Sequence, residues 1–350
     1  MRGADHVCRP AQIGLFTLEN IDCYRRLPTR EKCWHVLTWF CGVVIVAGGC
    51  QLCHWFWVSP PDVNYRSMAL ESLSPETEVL IVGTSHVERA VRPDVFTHET
   101  MGISARALDY VCMEAVLNKA LDRAPAVALV VLEVDYVPLY MDHIAFAGDR
   151  ELADWGVSYR ELKLDPLARA RTYLSLVGYK RFTPSHLWLR AAAKDPEMTP
   201  ERRFAGYVAS ERVVDASRDA AKLRALFDDV FTGDVSARQQ ALIRMIQGLE
   251  ARGIQVRLLR LPMHESYWAI VRPEWERTLS QTLELIRAKT DVGSGDFWDY
   301  STLASLEAHD YRDADHLNGW GAVKFSHLLD GRVESQVRSR TETLVRRIEP

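Results

Sequence analysis

The chain has 350 residues, 47% apolar and 26% charged, with a formal net charge of −4. That balance excludes wholesale disorder, a collagen-like fibre and a multi-span membrane protein; with no basic field, it also speaks against nucleic-acid binding. Six of the seven cysteines (Cys8, Cys23, Cys33, Cys41, Cys50 and Cys53) precede residue 54, so Cys112 stands alone in the body, which holds neither an internal disulfide framework nor a paired-CxxC zinc site.

In chain order, residues 1–33 read as a tail, and 34–58 as a transmembrane helix. The run from Trp34 to Val58 carries no Asp, Glu, Lys or Arg over 25 residues. At helical rise it extends about 37 Å, against a hydrocarbon layer of about 30 Å. Trp34 and Trp39 near one end and Trp55, Phe56 and Trp57 at the other suit interfacial belts, and Pro60 and Pro61 end the helix. Arg2, Arg9, Arg25, Arg26, Arg30 and Lys32 precede the segment, whereas Arg66 is the only base between Ser59 and Glu78. By the positive-inside rule the tail stays in the cytoplasm and the rest lies outside, periplasmic or extracellular, on a single-pass anchor in the cytoplasmic membrane. A buried core helix, a cleaved signal peptide and a lipoprotein site at Ala47–Cys50 are the competing readings.

Residues 59–77 form a linker containing Pro and Ser, and 78–350 an outside domain. Glu78–Gly83 (EVLIVG) reads as a buried strand, Ser104–Arg123 has helical spacing, and Ala126–Val134 is a continuous apolar run suited to a parallel strand. Ser236–Arg252 predicts a helix, Gln255–Leu261 a strand, Trp275–Lys289 a helix, Phe297–Tyr300 a short strand and Gly321–Ser335 a closing helix. Strands alternating with helices predict an α/β fold with a doubly wound parallel sheet, three-layered in the flavodoxin manner. Residues 142–235 interrupt the alternation with charged, helix-prone sequence and no clear strand, which predicts a helical insertion over the carboxyl edge of the sheet.

Two segments carry candidate chemistry. Gly83-Thr84-Ser85-His86 follows the first strand at once, where ligands gather in open α/β sheets. A serine on a tight strand-to-helix turn exposes its Oγ, although a turn former or N-cap is the commoner use of such a residue. Near the C-terminus, Asp313-Ala314-Asp315-His316-Leu317-Asn318 precedes the last helix. Asp313 and His316 are three apart, so on a helical turn the carboxylate can hold the imidazole while its other nitrogen faces a nucleophile. Asp315 is the second candidate for that role, though adjacency to His316 points it elsewhere on a turn. An N-capping Asp cluster with a surface His is the plainer reading. His86 and His264 follow predicted strands and are candidate pocket residues. A metal set of Asp313, Asp315, His316 and His86 is conceivable in ligand chemistry, but no paired metal-ligand motif supports it, and no metal or cofactor is expected. Glu133 and Asp135 read as solvated strand-end carboxylates; Trp155, Trp188, Trp268 and Trp320 read as core or as sugar-stacking platforms.

VLIVGTSHVE followed by DADHLNGWGA resembles the SGNH/GDSL esterase–acyltransferase superfamily, over roughly residues 78–135 and 255–330 with the insertion unmatched. It resembles more closely the membrane-anchored members associated with O-acylation of surface polymers, such as alginate O-acetylation and teichoic-acid D-alanylation. The resemblance implies Ser85 as nucleophile, His316 as general base and Asp313 as its orienting carboxylate, with an oxyanion hole from the N–H groups of Ser85 and Gly102. The asparagine that completes the family's oxyanion hole has no counterpart, since the third strand ends Leu132-Glu133-Val134-Asp135-Tyr136. The expected substrate is an acylated, in the first instance acetylated, surface glycan or glycolipid. The expected partner is a multi-span membrane-bound O-acyltransferase. A non-catalytic accessory subunit of such a complex is the alternative.

Overall fold

A computed structural model of the chain describes residues 73–143, 215–231 and 234–348, with scattered positions between 34 and 70 and between 152 and 208. The chain divides into two compact units, residues 1–60 with 179–187 and residues 61–178 with 188–350. In the first, Trp34, Leu37–Gly42, Ile45, Val46 and Gly49 are helical. Of these, Trp34, Leu37, Trp39, Phe40, Ile45 and Val46 are exposed. Among the described residues no helix is long and apolar enough to cross a membrane. The remainder of the expected 34–58 span, the 1–33 tail and most of the 59–77 linker lie outside the described residues.

The second unit is built on a five-stranded, all-parallel sheet. Its strands are β1 (Val79–Gly83), β2 (Thr100–Ser104), β3 (Leu129–Glu133), β6 (Gln255–Arg260) and β7 (Phe297–Asp299), in the order β2-β1-β3-β6-β7. All five residues of β1, β2 and β3 are buried, which is why VLIVG and LVVLE are apolar without alternation. The register sets Val82 beside Leu132 and Gly83 beside Ser104, so β1, β2 and β3 end nearly level. Strand order reverses at β1, the kind of switch point where the loops leaving adjacent strands part and open a crevice.

Helices α1 (Ser85–Ala90), α2 (Tyr110–Arg123) and α3 (Tyr136–Tyr140) follow the first three strands. After them come α4 (Ala216–Val230), α5 (Ser236–Ala251), α6 (Glu265–Trp268), α7 (Pro273–Lys289) and α8 (Gly319–Ile348). Helix α5 packs on α2, and α8 packs on α1. Expected helix starts moved where a cap decides: Asp109 caps α2 by accepting from Cys112 N, so the helix begins at Tyr110 and residue 104 belongs to β2.

Within 142–235, where no strand was expected, the described residues include a short antiparallel hairpin of β4 (Arg203–Phe204) and β5 (Tyr207–Val208). Two-residue strands leave no periodicity to read. The insertion's helix α4 is fastened by aromatic packing. Phe227 and Phe231 stack at 4.2 Å between centroids, and Phe231 meets Trp275 of α7 edge-on at 5.0 Å.

Candidate active site

The turn after β1 is fixed from below by Glu133. Thr84 caps α1, its Oγ1 accepting from His86 N at 3.2 Å. Its own N–H and hydroxyl donate to Glu133 Oε2 at 2.5 Å and Oε1 at 3.0 Å. A Cβ on Gly83 would overlap the Glu133 carboxylate and Val87, so only glycine lets that carboxylate lie against the strand end. The result places Ser85 as the first residue of α1, half-buried, with an amide that has no acceptor inside the helix.

The opposing loop, 311–317, is closed by a bridge between Tyr311 and Leu317 and by Arg312 N donating to His316 O at 2.9 Å. It is a loop rather than the helical turn expected for Asp-x-x-His. Asp313 Oδ1 folds it by accepting from His316 N at 2.9 Å and Asp315 N at 3.3 Å. Asn318 then caps α8, its Oδ1 accepting from Trp320 N and Gly321 N, both at 3.0 Å. His264 N donates to Ala314 O at 3.2 Å, and its ring stands edge-on to Tyr311.

These two loops bring Ser85, His316 and Asp313 together. His316 Nε2 lies 3.0 Å from Ser85 Oγ, and its Nδ1 lies 2.9 Å from Asp313 Oδ1. Asp315, expected to point away, also reaches Nδ1, with Oδ1 at 3.0 Å. The non-helical loop is the reason: both carboxylates converge on one nitrogen. Asp315 Oδ2 lies 3.4 Å from Nε2 of His86, whose Nδ1 lies 2.9 Å from Glu133 Oε1. A continuous chain therefore runs from Ser85 through His316, Asp315 and His86 to Glu133.

Electrostatics follow from this crowding. Burial pulls the His316 imidazolium down, but Asp313 and Asp315 outweigh it and hold the group up at about 9. For Asp315, burial favours the neutral acid, yet His316 and His86 keep it ionised well below the usual carboxylate range. Burial likewise opposes a charged His86, and Glu133 and Asp315 raise it well above the ordinary histidine value. Burial pushes Asp135, the N-cap of α3, up to about 6 against the pull of Arg260 and His86.

Glu133 and Asp135 are fully buried, not solvated as expected, because both side chains turn inward to serve backbone amides. Gly102 lies inside β2 opposite Ile81, two residues before the strand end, where Ser104 is the residue level with Gly83. His264 caps α6 by accepting from Ser266 N at 3.2 Å and braces the triad loop. Trp155 is buried, Arg260 lies over Trp268, Trp320 is exposed, and Trp188 lies outside the described residues.

Sequence reasoning missed Asp219. It comes from the first turn of α4, accepts from the Ala314 backbone, and is raised by burial and by Asp313 and Asp315. Its ligand atoms group with those of Asp313 and Asp315, as those of His86, Asp315 and His316 group with one another. Every atom of the second set is already engaged in the hydrogen-bonded chain from Ser85 to Glu133, so the donors are satisfied by one another.

No family profile and no curated protein matches the chain. A solved structure from Bacteroides fragilis NCTC 9343, described as a "putative acylhydrolase", is similar at 13% identity and a TM-score of 0.38, covering 78% of this chain and 97% of that one.

Proposed function

We propose that the chain is a serine-dependent acyl esterase or O-acyltransferase. The observation that carries this reading is Ser85 Oγ at 3.0 Å from Nε2 of a histidine whose Nδ1 is held by carboxylates. With His316 neutral, Nε2 takes the Ser85 proton as Oγ attacks the acyl carbonyl, and Asp313 with Asp315 stabilises the imidazolium that forms. The Ser85 N–H, free at the start of α1, faces the developing oxyanion. His316 then gives its proton to the departing alkoxide, the alcohol leaves, and Ser85 carries the acyl ester. Water or a second hydroxyl, deprotonated by His316, attacks that ester and restores Ser85.

The substrate class we assign is an acylated surface glycan or glycolipid, with the chain anchored through 34–58, the site on the periplasmic or extracellular side, and a multi-span membrane-bound O-acyltransferase as partner. The support is the charge-free aromatic-ended segment, its basic flank and the resemblance of GTSH and DADHLN to anchored acylating proteins. One observation favours the non-catalytic accessory alternative: Glu133, at the end of β3, is buried beneath the Ser85 turn with its oxygens held by Thr84 and His86, and it offers no donor to an oxyanion.

Hydrolysis of 4-nitrophenyl acetate by the full-length protein separates these readings. Wild type is expected to turn over the ester, with Ser85→Ala and His316→Ala each losing about 10³-fold or more. Equal background rates in three folded proteins would overturn the catalytic reading.

A further inference from the structure

Both ring nitrogens of His86 face carboxylate oxygens, Glu133 Oε1 at 2.9 Å and Asp315 Oδ2 at 3.4 Å. Ionised carboxylates only accept hydrogen bonds, and a neutral imidazole donates from one nitrogen alone. A neutral His86 would therefore turn a lone pair toward one of two buried anions. His316 differs, because Ser85 Oγ on its Nε2 side can donate or accept, so that ring is satisfied in either protonation state. The two rings lie 5.3 Å apart between centroids and share Asp315.

We infer that His86 is a positioning residue: a permanent buried imidazolium that bridges Glu133 and Asp315, fixes Asp315 on His316 Nδ1, and sets the proton affinity of the base. This role rests on the catalytic reading of Ser85 and His316 only for its consequence, not for its geometry. Glu133 is itself held by three donors, the Thr84 N–H, the Thr84 hydroxyl and His86, so the bridge is anchored to the nucleophile turn. Other groups among the described residues surround His316 and His86. Asp313 and Arg312 come from the same loop, and Asp135 from the exit of β3. Asp219 comes from α4, Tyr267 from α6 and Arg260 from the end of β6. Besides His316 itself, His86 is the one cation among these described groups placed directly on Asp315. The direction of its own shift, up from the ordinary histidine value through Glu133 and Asp315 against burial, agrees with this geometry.

The test is a histidine titration of the full-length protein by NMR with ¹⁵N- and ¹³C-labelled histidine, assigned through His86→Gln and His316→Ala. His86 is expected to show two protonated nitrogens at pH 7. In wild type His316 is expected to titrate near 9. His86→Gln, which keeps hydrogen-bonding capacity without charge, is expected to move that midpoint up by about 0.5–1 unit, and Asp315→Asn to move it down by about as much. In the Asp315→Asn background the His86→Gln shift is expected to shrink, as a shared partner requires. A neutral His86 ring at pH 7, or a His316 midpoint unmoved by His86→Gln, would overturn the inference. If His86→Gln does not fold, the wild-type ring and the Asp315→Asn midpoint decide. The titration needs no turnover, so an inactive protein would remove the proposed function while the His316 midpoint still judged His86.

Discussion

His316 must be neutral to accept a proton from Ser85, yet two carboxylates on Nδ1 hold its charged form up to about 9. Ser85-dependent ester hydrolysis should therefore rise with pH along a limb with a midpoint near 9, read as the wild-type rate minus that of Ser85→Ala. A flat profile from pH 6 to 10 would contradict this. The same group links to stability with a definite sign. Its folded value is raised above the ordinary histidine value of about 6.5, so its contribution is fully present below that pH and is lost as pH rises through about 9. That Ser85, His316 and Asp313 meet was legible from the strand-to-helix turn, the Asp-x-x-His segment and the resemblance of both to a known family's motifs, although 313–316 forms a loop and not the expected helical turn. Glu133 was not, since a strand-end carboxylate reads as solvated. Only the missing Cβ of Gly83 and the level ends of β1 and β3 reveal why it is buried.

Helix α8 begins where the triad loop ends, and Asn318 joins them. Its Oδ1 caps the helix, while its Nδ2 donates to His309 O at 2.6 Å and its N–H to Asp310 O at 2.9 Å. Asn318→Ala should cost about 1 kcal/mol of stability through the lost cap and loosen His316 two residues away. Thermal melting combined with the esterase rate checks this; an unchanged melt would contradict it. At this scale the sequence told strands from helices where burial is continuous, as in VLIVG and LVVLE, and in QVRLLR, whose last three residues are buried. It missed β2, whose TMGIS mixes a glycine and two hydroxyls into a buried edge strand. The expected helical turn at 313–316 failed for a related reason. Asx bonding by Asp313 competes with helix locally, and it wins because Tyr311 and Leu317 pair across the loop.

At the level of the whole molecule, the strand order puts the Ser85 turn and the Glu133–Asp135 exit side by side at the switch point. The insertion helix α4 adds Asp219 from above. That parallel sheet was legible as alternation. The reach of α4 was not, because the Phe227, Phe231 and Trp275 stack that seats it links residues far apart in sequence. The proposed anchor predicts that the full-length chain stays with membranes through an alkaline carbonate wash, and that deleting residues 1–58 releases it. Release of the full-length chain by the wash would contradict the anchor and leave the site untouched.

The central claim is that Ser85 is a nucleophile activated by His316, and covalent labelling tests it without assuming a substrate. Full-length protein treated with a fluorophosphonate at pH 8 to 9 should gain one adduct. Peptide mass spectrometry should place it on Ser85, and His316→Ala should label far more slowly. No adduct on folded wild-type protein, or an adduct on another serine at a rate indifferent to His316, would contradict the account.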